Sequence, residues 1–324
     1  MENKGIAKYI ERIEIKGLWG RYDIDWQLNP DVNILVGENG TGKSTILQAV
    51  KNLFDVTEKI AKDVSVSEDL HAVLYDKIDV TLKNNTESDH FVFDKDSALS
   101  DASISYEVGS DSQKGFLYEH KYSTINNHLK NAVSDVLKEY NVYHIKTFDK
   151  AIKNGTDDYK TTLDIELNRL EKEYLGYKLK TFKAALKDKN ALRANQYFNA
   201  SINEFFKASD KILNEDDEKL SFLLDDNTPL NWLLLSSGEK QLLNILLTVL
   251  CQDEKPSILM MDEPELSLHV SWQYELIKII RQLNPNCQII IVTHSSSIFA
   301  KGWMDKFFFV NGKQGIRHKI KETV

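Results

Sequence analysis

The sequence has 324 residues, a formal net charge of −8 and a pI of about 5.6. A chain of this length can bury a sizeable core, either as one large discontinuous domain or as a head with a lid. The acidic balance excludes an extended basic surface, so any contact with nucleic acid must come from a local patch.

Two further features bear on the cellular compartment. The only cysteines, Cys251 and Cys287, provide neither a disulfide framework nor the spacing of a metal site. No apolar segment reaches the length that crosses a membrane, and residues 1–4 do not resemble the start of a signal peptide. We therefore expect a cytoplasmic protein with no membrane contact.

The first motif is a glycine-rich loop at residues 37–45, with the sequence GENGTGKST. It follows an apolar run typical of a buried strand, at residues 32–36, and precedes a helix-like run at residues 46–50. The spacing matches a phosphate-binding loop, in which backbone N–H groups and a lysine bind phosphates and a serine hydroxyl binds Mg²⁺. The predicted nucleotide-binding residues are Gly37, Asn39, Gly40, Thr41, Gly42, Lys43, Ser44 and Thr45, with Ser44 also a metal ligand.

Strands are predicted after this loop. Residues 77–82, 90–93 and 103–108 are rich in β-branched and aromatic residues. Polar, turn-like stretches separate them. The pattern predicts an antiparallel side sheet.

From about residue 157 the periodicity becomes helical. Steps of four and three residues form an apolar stripe at Leu163, Leu167, Leu170, Tyr174 and Tyr177. About two heptads are too few for a coiled coil, so we predict a packed helical lid. A basic stretch lies in the same region, and either DNA phosphates or simple solvation of a helix face explains it: Lys178, Lys180, Lys183, Lys187, Lys189 and Arg193.

Residues 235–241, with the sequence LSSGEKQ, predict the start of another helix. Ser236 and Glu239, three residues later, fit a capping box. The same helix N-terminus, with its hydroxyl and N–H groups, is also suited to bind a γ-phosphate. The sequence leaves open whether the motif is structural only or binds nucleotide as well.

A pair of carboxylates follows the next apolar run, at residues 258–261. The run does not alternate, which is typical of a strand buried on both faces of a parallel sheet. Functional groups collect at the carboxyl ends of such strands, so Asp262 and Glu263 should lie beside the phosphate-binding loop. We predict that Asp262 binds Mg²⁺ and that Glu263 is catalytic and polarises the attacking water.

The last buried strand is predicted at residues 288–292 and ends close to His294. A lone histidine at a strand end is more often structural than catalytic. Here, however, a neighbouring strand would bring His294 towards the γ-phosphate, where it could hydrogen-bond the phosphate or the attacking water. We therefore predict His294 as a second catalytic residue.

Taken in order, these motifs resemble the ABC-type ATPase heads of the SMC, RecF and OLD group. Residues 263–269 resemble the stretch after the carboxylates in OLD and related bacterial defence ATPases, and residues 13–22 resemble the opening strand and turn of RecF-like heads. The resemblance covers about residues 1–55 and 230–312. It implies an α/β P-loop NTPase of the ABC-ATPase type, with an antiparallel β side sheet and a helical lid insertion.

The resemblance also implies how the site is completed. Two such heads dimerise face to face, and each ATP lies between the phosphate-binding loop of one subunit and the signature of the other, which in this chain is residues 235–239. Ser236 and Gly238 would therefore contact ATP bound by the partner copy. We expect ATP and Mg²⁺ as cofactors, and a homodimer or a higher even oligomer that forms through ATP.

We predict one discontinuous ATPase domain, with an N-terminal lobe at residues 1–150, a helical lid at 151–230 and a C-terminal lobe at 231–324. About 30 residues follow His294, too few for the nuclease module that OLD proteins carry. A separate effector, a nuclease or a toxin, would then be needed. The expected role is a conformational switch that hydrolyses ATP in DNA maintenance or anti-phage defence, with direct DNA contact left open.

Two other functions remain open at this point. The chain could be the nucleotide-binding subunit of a membrane transporter, although Ser237 and Glu239 stand where transporters usually have glycine and glutamine. It could also be a slow ATP-sensing scaffold that holds a toxin or nuclease partner. Intact Glu263 favours hydrolysis without fixing its rate.

Overall fold

The computed structural model describes residues 8–62, 75–84, 87–96, 101–108, 113–119, 124–125, 137, 140–146, 149–152, 161–217, 219–311 and 315–318. The strands are β1 Lys8–Leu18, β2 Tyr22–Gln27, β3 Val32–Gly37, β4 Lys77–Asn84, β5 Glu87–Asp96, β6 Asp101–Val108, β7 Gln113–Glu119, β8 Thr124–Ile125, β9 Asn141–Lys146, β10 Lys211–Leu213, β11 Ser221–Leu224, β12 Pro229–Asn231, β13 Ser257–Asp262, β14 Cys287–Val292, β15 Phe307–Asn311 and β16 Gly315–His318. The helices are α1 Lys43–Ala61, α2 Thr162–Ala185, α3 Arg193–Phe206, α4 Ser237–Cys251 and α5 Val270–Leu283.

A central, mostly parallel sheet positions the predicted motifs. Its strand order is β16-β15-β3-β14-β13-β9, and only the edge strand β16 runs antiparallel to its neighbour within this described sheet. Strands β13 and β14 are buried almost throughout, as their apolar runs predict. Since parallel strands end at the same edge, the polar residues after β3, β13 and β14 meet there.

Two hydrophobic cores cover the two faces of this sheet. In β14, Ile290 and Val292 belong to a core that also contains residues of α1, β1 and β4. The alternate residues Ile289 and Ile291 belong to a second core, with residues of α2, α3, α4 and α5. A slip of one residue would exchange the two faces, so this double burial fixes the register of the strand.

The predicted side sheet is present and antiparallel, with the order β2-β1-β4-β5-β6-β7-β8. Its strands β4, β5 and β6 contain the three segments predicted from the sequence. One face packs against α1 through buried residues that include Ile78, Val80, Phe91 and Phe93. The sheet therefore covers the first core.

The predicted lid region contains helices and a small sheet. The apolar stripe of α2 is buried, as expected for a packed helix. A partly buried ion pair joins α2 to α4, with 2.7 Å between Lys240 Nζ and Asp164 Oδ1. The sheet of β10, β11 and β12 was not predicted, because strands of three or four residues are too short to show alternation. The division of the chain at residues 150 and 230 stays a prediction.

The structure also bears on membrane contact and on the two cysteines. Within the described ranges, no helix has the length and apolar character required to cross a bilayer. Both cysteines are free thiols. Burial raises the pKa of Cys251 to about 12 and that of Cys287 to about 11, so neither is a nucleophile at neutral pH.

Candidate functional site

The glycine-rich loop joins β3 to α1 and forms a cradle for an anion. Gly40 and Gly42 have φ angles of 74° and 91°, which glycine adopts without the strain that a side chain would cause. Helix α1 begins at Lys43 and has no acidic residue in its first turn. The positive end of its dipole is therefore uncompensated by the helix itself, which favours a bound phosphate.

Lys43 is held inside this loop. Its Nζ donates hydrogen bonds to the carbonyl oxygens of Gly37 at 3.0 Å and Glu38 at 2.8 Å. Burial lowers the pKa of Lys43, while three nearby carboxylates act against that shift. Carbonyl oxygens are weaker partners for an ammonium group than phosphates are, so a bound phosphate can replace them.

The loop itself is closely packed. A Cβ atom on Gly37 would lie 2.6 Å from the carbonyl oxygen of Val310, so no side chain fits there. The Oγ1 of Thr41 donates to the Glu38 carbonyl at 2.9 Å, which braces the turn. The remaining predicted loop residues are exposed or half-buried: Asn39 and Thr45. The geometry supports a phosphate cradle, and the contact of each residue with a ligand stays a prediction.

The two predicted metal ligands are adjacent. Ser44 Oγ donates a hydrogen bond to Asp262 Oδ1 at 2.8 Å, although 218 positions separate them in the chain. Hydroxyl and carboxylate oxygens are ligands that Mg²⁺ prefers. The described residues contain no group of three or more His, Cys, Asp or Glu that could hold a metal. These two oxygens do not fill the coordination shell of Mg²⁺, so an ion held here would need further oxygens from phosphate and water.

Glu263 follows Asp262 in a strained backbone conformation. Its φ and ψ angles are 48° and 51°, in the left-handed region, and it precedes Pro264. Such a conformation costs about 1–3 kcal/mol in a non-glycine residue and concentrates at functional sites. The Glu263 N–H donates to the carbonyl of Val292 at 2.8 Å, which anchors it to β14. His294 Nε2 lies 3.5 Å from Glu263 Oε1, so the two predicted catalytic side chains are neighbours.

Glu265 is a site residue to which the sequence analysis gave no role. Its Oε1 accepts a hydrogen bond from the backbone N–H of His294 at 2.7 Å. Its Oε2 is buried and has no hydrogen-bond partner among the described residues. The sequence did contain a signal for it, because Glu265 is a further carboxylate two residues after Glu263. Glu265 therefore ties residues 263–269, which we call the carboxylate loop, to the segment that carries His294.

Gln273 on α5 was also missed. Its Nε2 donates to the carbonyl of Leu268 at 2.9 Å, and its Oε1 accepts from Ser295 Oγ at 2.7 Å. It thus joins the end of the carboxylate loop to the residue after His294. A single amide in a helix leaves no pattern in the sequence, so nothing there pointed to it.

The signature forms the predicted capping box at the start of α4. The Ser236 N–H and Oγ donate to Glu239 Oε2 at 2.8 and 2.9 Å, and the Glu239 N–H donates back to Ser236 Oγ at 3.3 Å. Glu239 Oε1 accepts from Lys211 Nζ and Ser209 Oγ, both at 2.7 Å. Burial alone would raise the pKa of Glu239, but these hydrogen bonds outweigh it and hold the pKa below its ordinary value.

The signature also touches the carboxylate loop. A Cβ atom on Gly238 would lie 2.4 Å from the carbonyl oxygen of Ser267, so the two backbones are in direct contact. The same loop begins at Glu263 beside the Asp262 carboxylate, which accepts from Ser44. The predicted site residues therefore lie along one connected path. The Ser236 hydroxyl points into its own capping box, so its contact with a nucleotide stays a prediction.

Residues 32–300 match a protein family described as "AAA domain, putative AbiEii toxin, Type IV TA system". This span contains the glycine-rich loop, the signature, the carboxylate pair and His294. The chain belongs to this family. No curated protein is significantly similar to it in sequence.

Solved SMC heads have a similar fold. An SMC head bound to the C-winged-helix domain of ScpA has a TM-score of 0.50 and 16% identity, and covers 97% of this chain and 99% of its own. The SMC head domain from Thermotoga maritima has a TM-score of 0.49 and 16% identity, and the match covers 96% of this chain and 99% of that domain. An Smc head with an extended coiled coil is bound to the C-terminal domain of ScpA, derived from Pyrococcus furiosus. It has a TM-score of 0.47 and 14% identity, and the match covers 96% of each chain. The predicted ABC-type ATPase head is confirmed as the fold of this AAA family member.

Proposed function

We propose that this protein hydrolyses ATP at a composite site formed by two copies of the chain. The observation that carries the proposal is the continuous cluster at one edge of the central sheet. There Ser44 bonds Asp262, Glu263 follows it, and His294 lies against Glu263. The family implies nucleotide binding and usually Mg²⁺, and the oxygen donors at this edge fit both.

Each residue has a role that its surroundings support. The loop N–H groups and Lys43 would bind the β and γ phosphates, which also neutralises their charge. Ser44 and Asp262 would hold Mg²⁺, which supplies charge stabilisation at the phosphates. The Glu263 carboxylate would orient the attacking water and accept its proton. His294 would then hydrogen-bond the γ-phosphate or that water, held in place through Glu265.

Exposed apolar residues around the signature support the pairing of two copies. Leu234, Leu266 and Val270 are 71%, 57% and 49% exposed. Leu234 precedes the signature, while Leu266 and Val270 flank Ser267, which touches Gly238. Apolar side chains grouped beside a polar site are typical of a protein interface. A second copy would cover them and bring its phosphate-binding loop to Ser236.

The biological setting follows from the family and is also part of the proposal. The family description names a putative toxin of a toxin–antitoxin system, and one SMC head of similar fold is bound to a domain of ScpA. We therefore favour an ATP-driven switch in anti-phage defence or DNA maintenance that acts through a separate effector protein. Direct binding of DNA is not needed for this role.

The decisive experiment measures the mass of the Glu263→Gln protein in solution, with and without Mg-ATP. The variant keeps the cradle but loses the base, so we expect bound ATP, a shift to a dimer or a higher even oligomer, and turnover lower by about 10²- to 10⁴-fold. The double variant Lys43→Ala with Glu263→Gln is the control and should show no shift. ATP binding without any shift would overturn the composite site, and an unchanged turnover would remove Glu263 from catalysis.

A further inference from the structure

The outer face of α2, together with its C-cap residue, carries an apolar stripe that no part of the described chain covers. It consists of Leu175, Leu179, Phe182 and Leu186, which are 39%, 56%, 65% and 77% exposed. We call these four residues the outer stripe. Exposed apolar groups of this size, arranged in a row, mark sites of interaction rather than ordinary surface.

The outer stripe has the spacing of a helix-pairing surface. Its members are separated by four, three and four residues, the same steps as the buried stripe of α2. At about 100° per residue the two stripes lie roughly a third of a turn apart on the helix. The buried stripe packs in the second core, whereas the outer stripe repeats the heptad pattern towards solvent. An approaching α-helix would fit this pattern.

A groove runs beside the outer stripe. It has a volume of about 260 Å³, and its apolar lining comes from Leu175, Leu179, Phe182 and Leu192. Its polar lining comprises Lys178, Thr181, Asn195, Asp216 and Asp217. The Asp217 carboxylate already accepts hydrogen bonds from Ser221 Oγ and the Lys219 N–H. The four apolar residues of the lining give the groove a surface that can receive apolar side chains.

Basic residues predominate at the end of α2 and in the turn after it, whereas Asp216 and Asp217 line the groove beside Lys178. Two of the six basic residues noted in the sequence are engaged, since Lys178 donates to the carbonyls of residues 215 and 217 and Lys180 pairs with Asp253. The other four are exposed and have no carboxylate partner within the described ranges: Lys183, Lys187, Lys189 and Arg193. One acidic residue, Asp188, lies among these four, and Asp188 caps the turn that follows α2. The excess of positive charge stands out on a chain of net charge −8.

We propose that the outer stripe and its groove bind an acidic amphipathic helix of another protein. The steps of the outer stripe match those of a packed helix, and four basic side chains without a carboxylate partner among the described residues favour acidic residues on the flank of that helix. DNA would use the basic residues but leave the apolar side chains in water. The surface lies on α2, away from the residues assigned to ATP, so this proposal does not depend on hydrolysis.

The test uses two fluorescein-labelled peptides of three heptads, titrated against the full chain without nucleotide and followed by anisotropy. Both have leucine at positions a and d; one has glutamate and the other lysine at positions e and g. We expect the glutamate peptide to bind at least about tenfold more tightly, with an affinity that falls as salt increases. Equal affinities, or tighter binding of the lysine peptide, would overturn the proposal whatever any variant does.

Variants then locate the surface. Phe182→Ser combined with Leu186→Ser should weaken binding of the glutamate peptide by at least about tenfold. Ile165→Ser, on the same helix and exposed but outside the outer stripe, should leave it unchanged. All three positions are exposed, so the fold does not depend on them.

Two results identify a different occupant and would refute the acidic helix. One is duplex DNA that binds more weakly to Lys183→Glu but equally well to Phe182→Ser. The other is a nucleotide-free dimer of the native chain that dissociates in Phe182→Ser.

Discussion

Two helix N-termini in this molecule are suited to bind anions, yet their states differ. At α1 the first turn has no acidic residue, and Lys43 is bonded only to loop carbonyls among the contacts described above. At α4 the Ser236 hydroxyl and N–H are both bonded to the Glu239 carboxylate. The first N-terminus is prepared for a phosphate, whereas the second already holds a negative charge.

The difference indicates that the two helix N-termini bind a phosphate in different ways. An anion can enter the α1 cradle without displacing a carboxylate. At α4, Glu239 compensates the helix dipole and is itself neutralised by Lys211. A phosphate that reaches Ser236 must therefore be held mainly by other groups. This agrees with the proposed composite site, in which Ser236 contacts ATP that a second copy already binds.

The largest effect is expected at the α1 cradle. Lys43→Ala removes the only ammonium group inside the described loop and should weaken ATP binding by about 100-fold or more. Lys51→Ala, on the same helix but paired with Asp55, is the matched control and should bind ATP normally. Calorimetric titration measures both. Retained affinity in Lys43→Ala would mean that the loop is not the nucleotide site.

Ser236→Arg should separate pairing from binding. The added bulk and charge would block the shared site, so ATP-dependent dimers should disappear while each chain keeps its ATP affinity within about threefold. The mass of the Glu263→Gln background with Mg-ATP reports the result. Asp225→Arg, which introduces an exposed arginine in the turn after β11, is the control. Normal dimers in Ser236→Arg would discredit the composite site.

Glu239→Gln tests whether the charge of the Glu239 carboxylate stabilises the start of α4. The change leaves Lys211 without a charged partner and should lower the free energy of unfolding by about 2 kcal/mol near neutral pH. Because folding lowers the pKa of Glu239, its carboxylate stabilises the folded state at pH values above the ordinary pKa of a glutamate. This stabilisation is lost as the pH falls below about 4.

Urea unfolding at a series of pH values measures this difference. The stability of the native protein should fall towards that of Glu239→Gln as the solution becomes acidic. Two curves that stay parallel down to acidic pH would show that the pair contributes nothing through its charge.

The smallest effect is expected within the α1 loop. Thr41→Val removes the hydrogen bond to the Glu38 carbonyl and should cost about 1 kcal/mol of loop stability, which weakens ATP binding several-fold. Thr41→Ser retains the hydroxyl and should restore the affinity. Equal weakening in both variants would assign the effect to packing instead of the hydrogen bond.

Much of the site could be predicted because its motifs are local. The loop at residues 37–45 and the capping box of Ser236 and Glu239 depend on spacings of a few residues. The Ser44–Asp262 contact spans 218 positions, yet it follows from the rule that parallel strands end at one edge. Local spacing and sheet topology together were enough to bring these groups close to one another.

Other contacts have no local pattern. Strand β9 is half-buried and mixes polar with apolar residues, so it resembles neither a central strand nor an alternating one. The Lys211–Glu239 pair and the bond from His294 to Glu265 join segments that are distant in the sequence, through side chains without periodicity. Such pairings depend on packing of the whole chain, which a single sequence does not display.

The contact between Gly238 and Ser267 has a mechanical consequence. With 2.4 Å between the position of a Cβ on Gly238 and the Ser267 oxygen, no side chain cushions the two loops. A displacement of either loop by a fraction of an ångström must push the other or open a gap. Because the two backbones are in direct contact at Gly238, a movement of the loop that begins at Glu263 is transmitted directly to the start of α4.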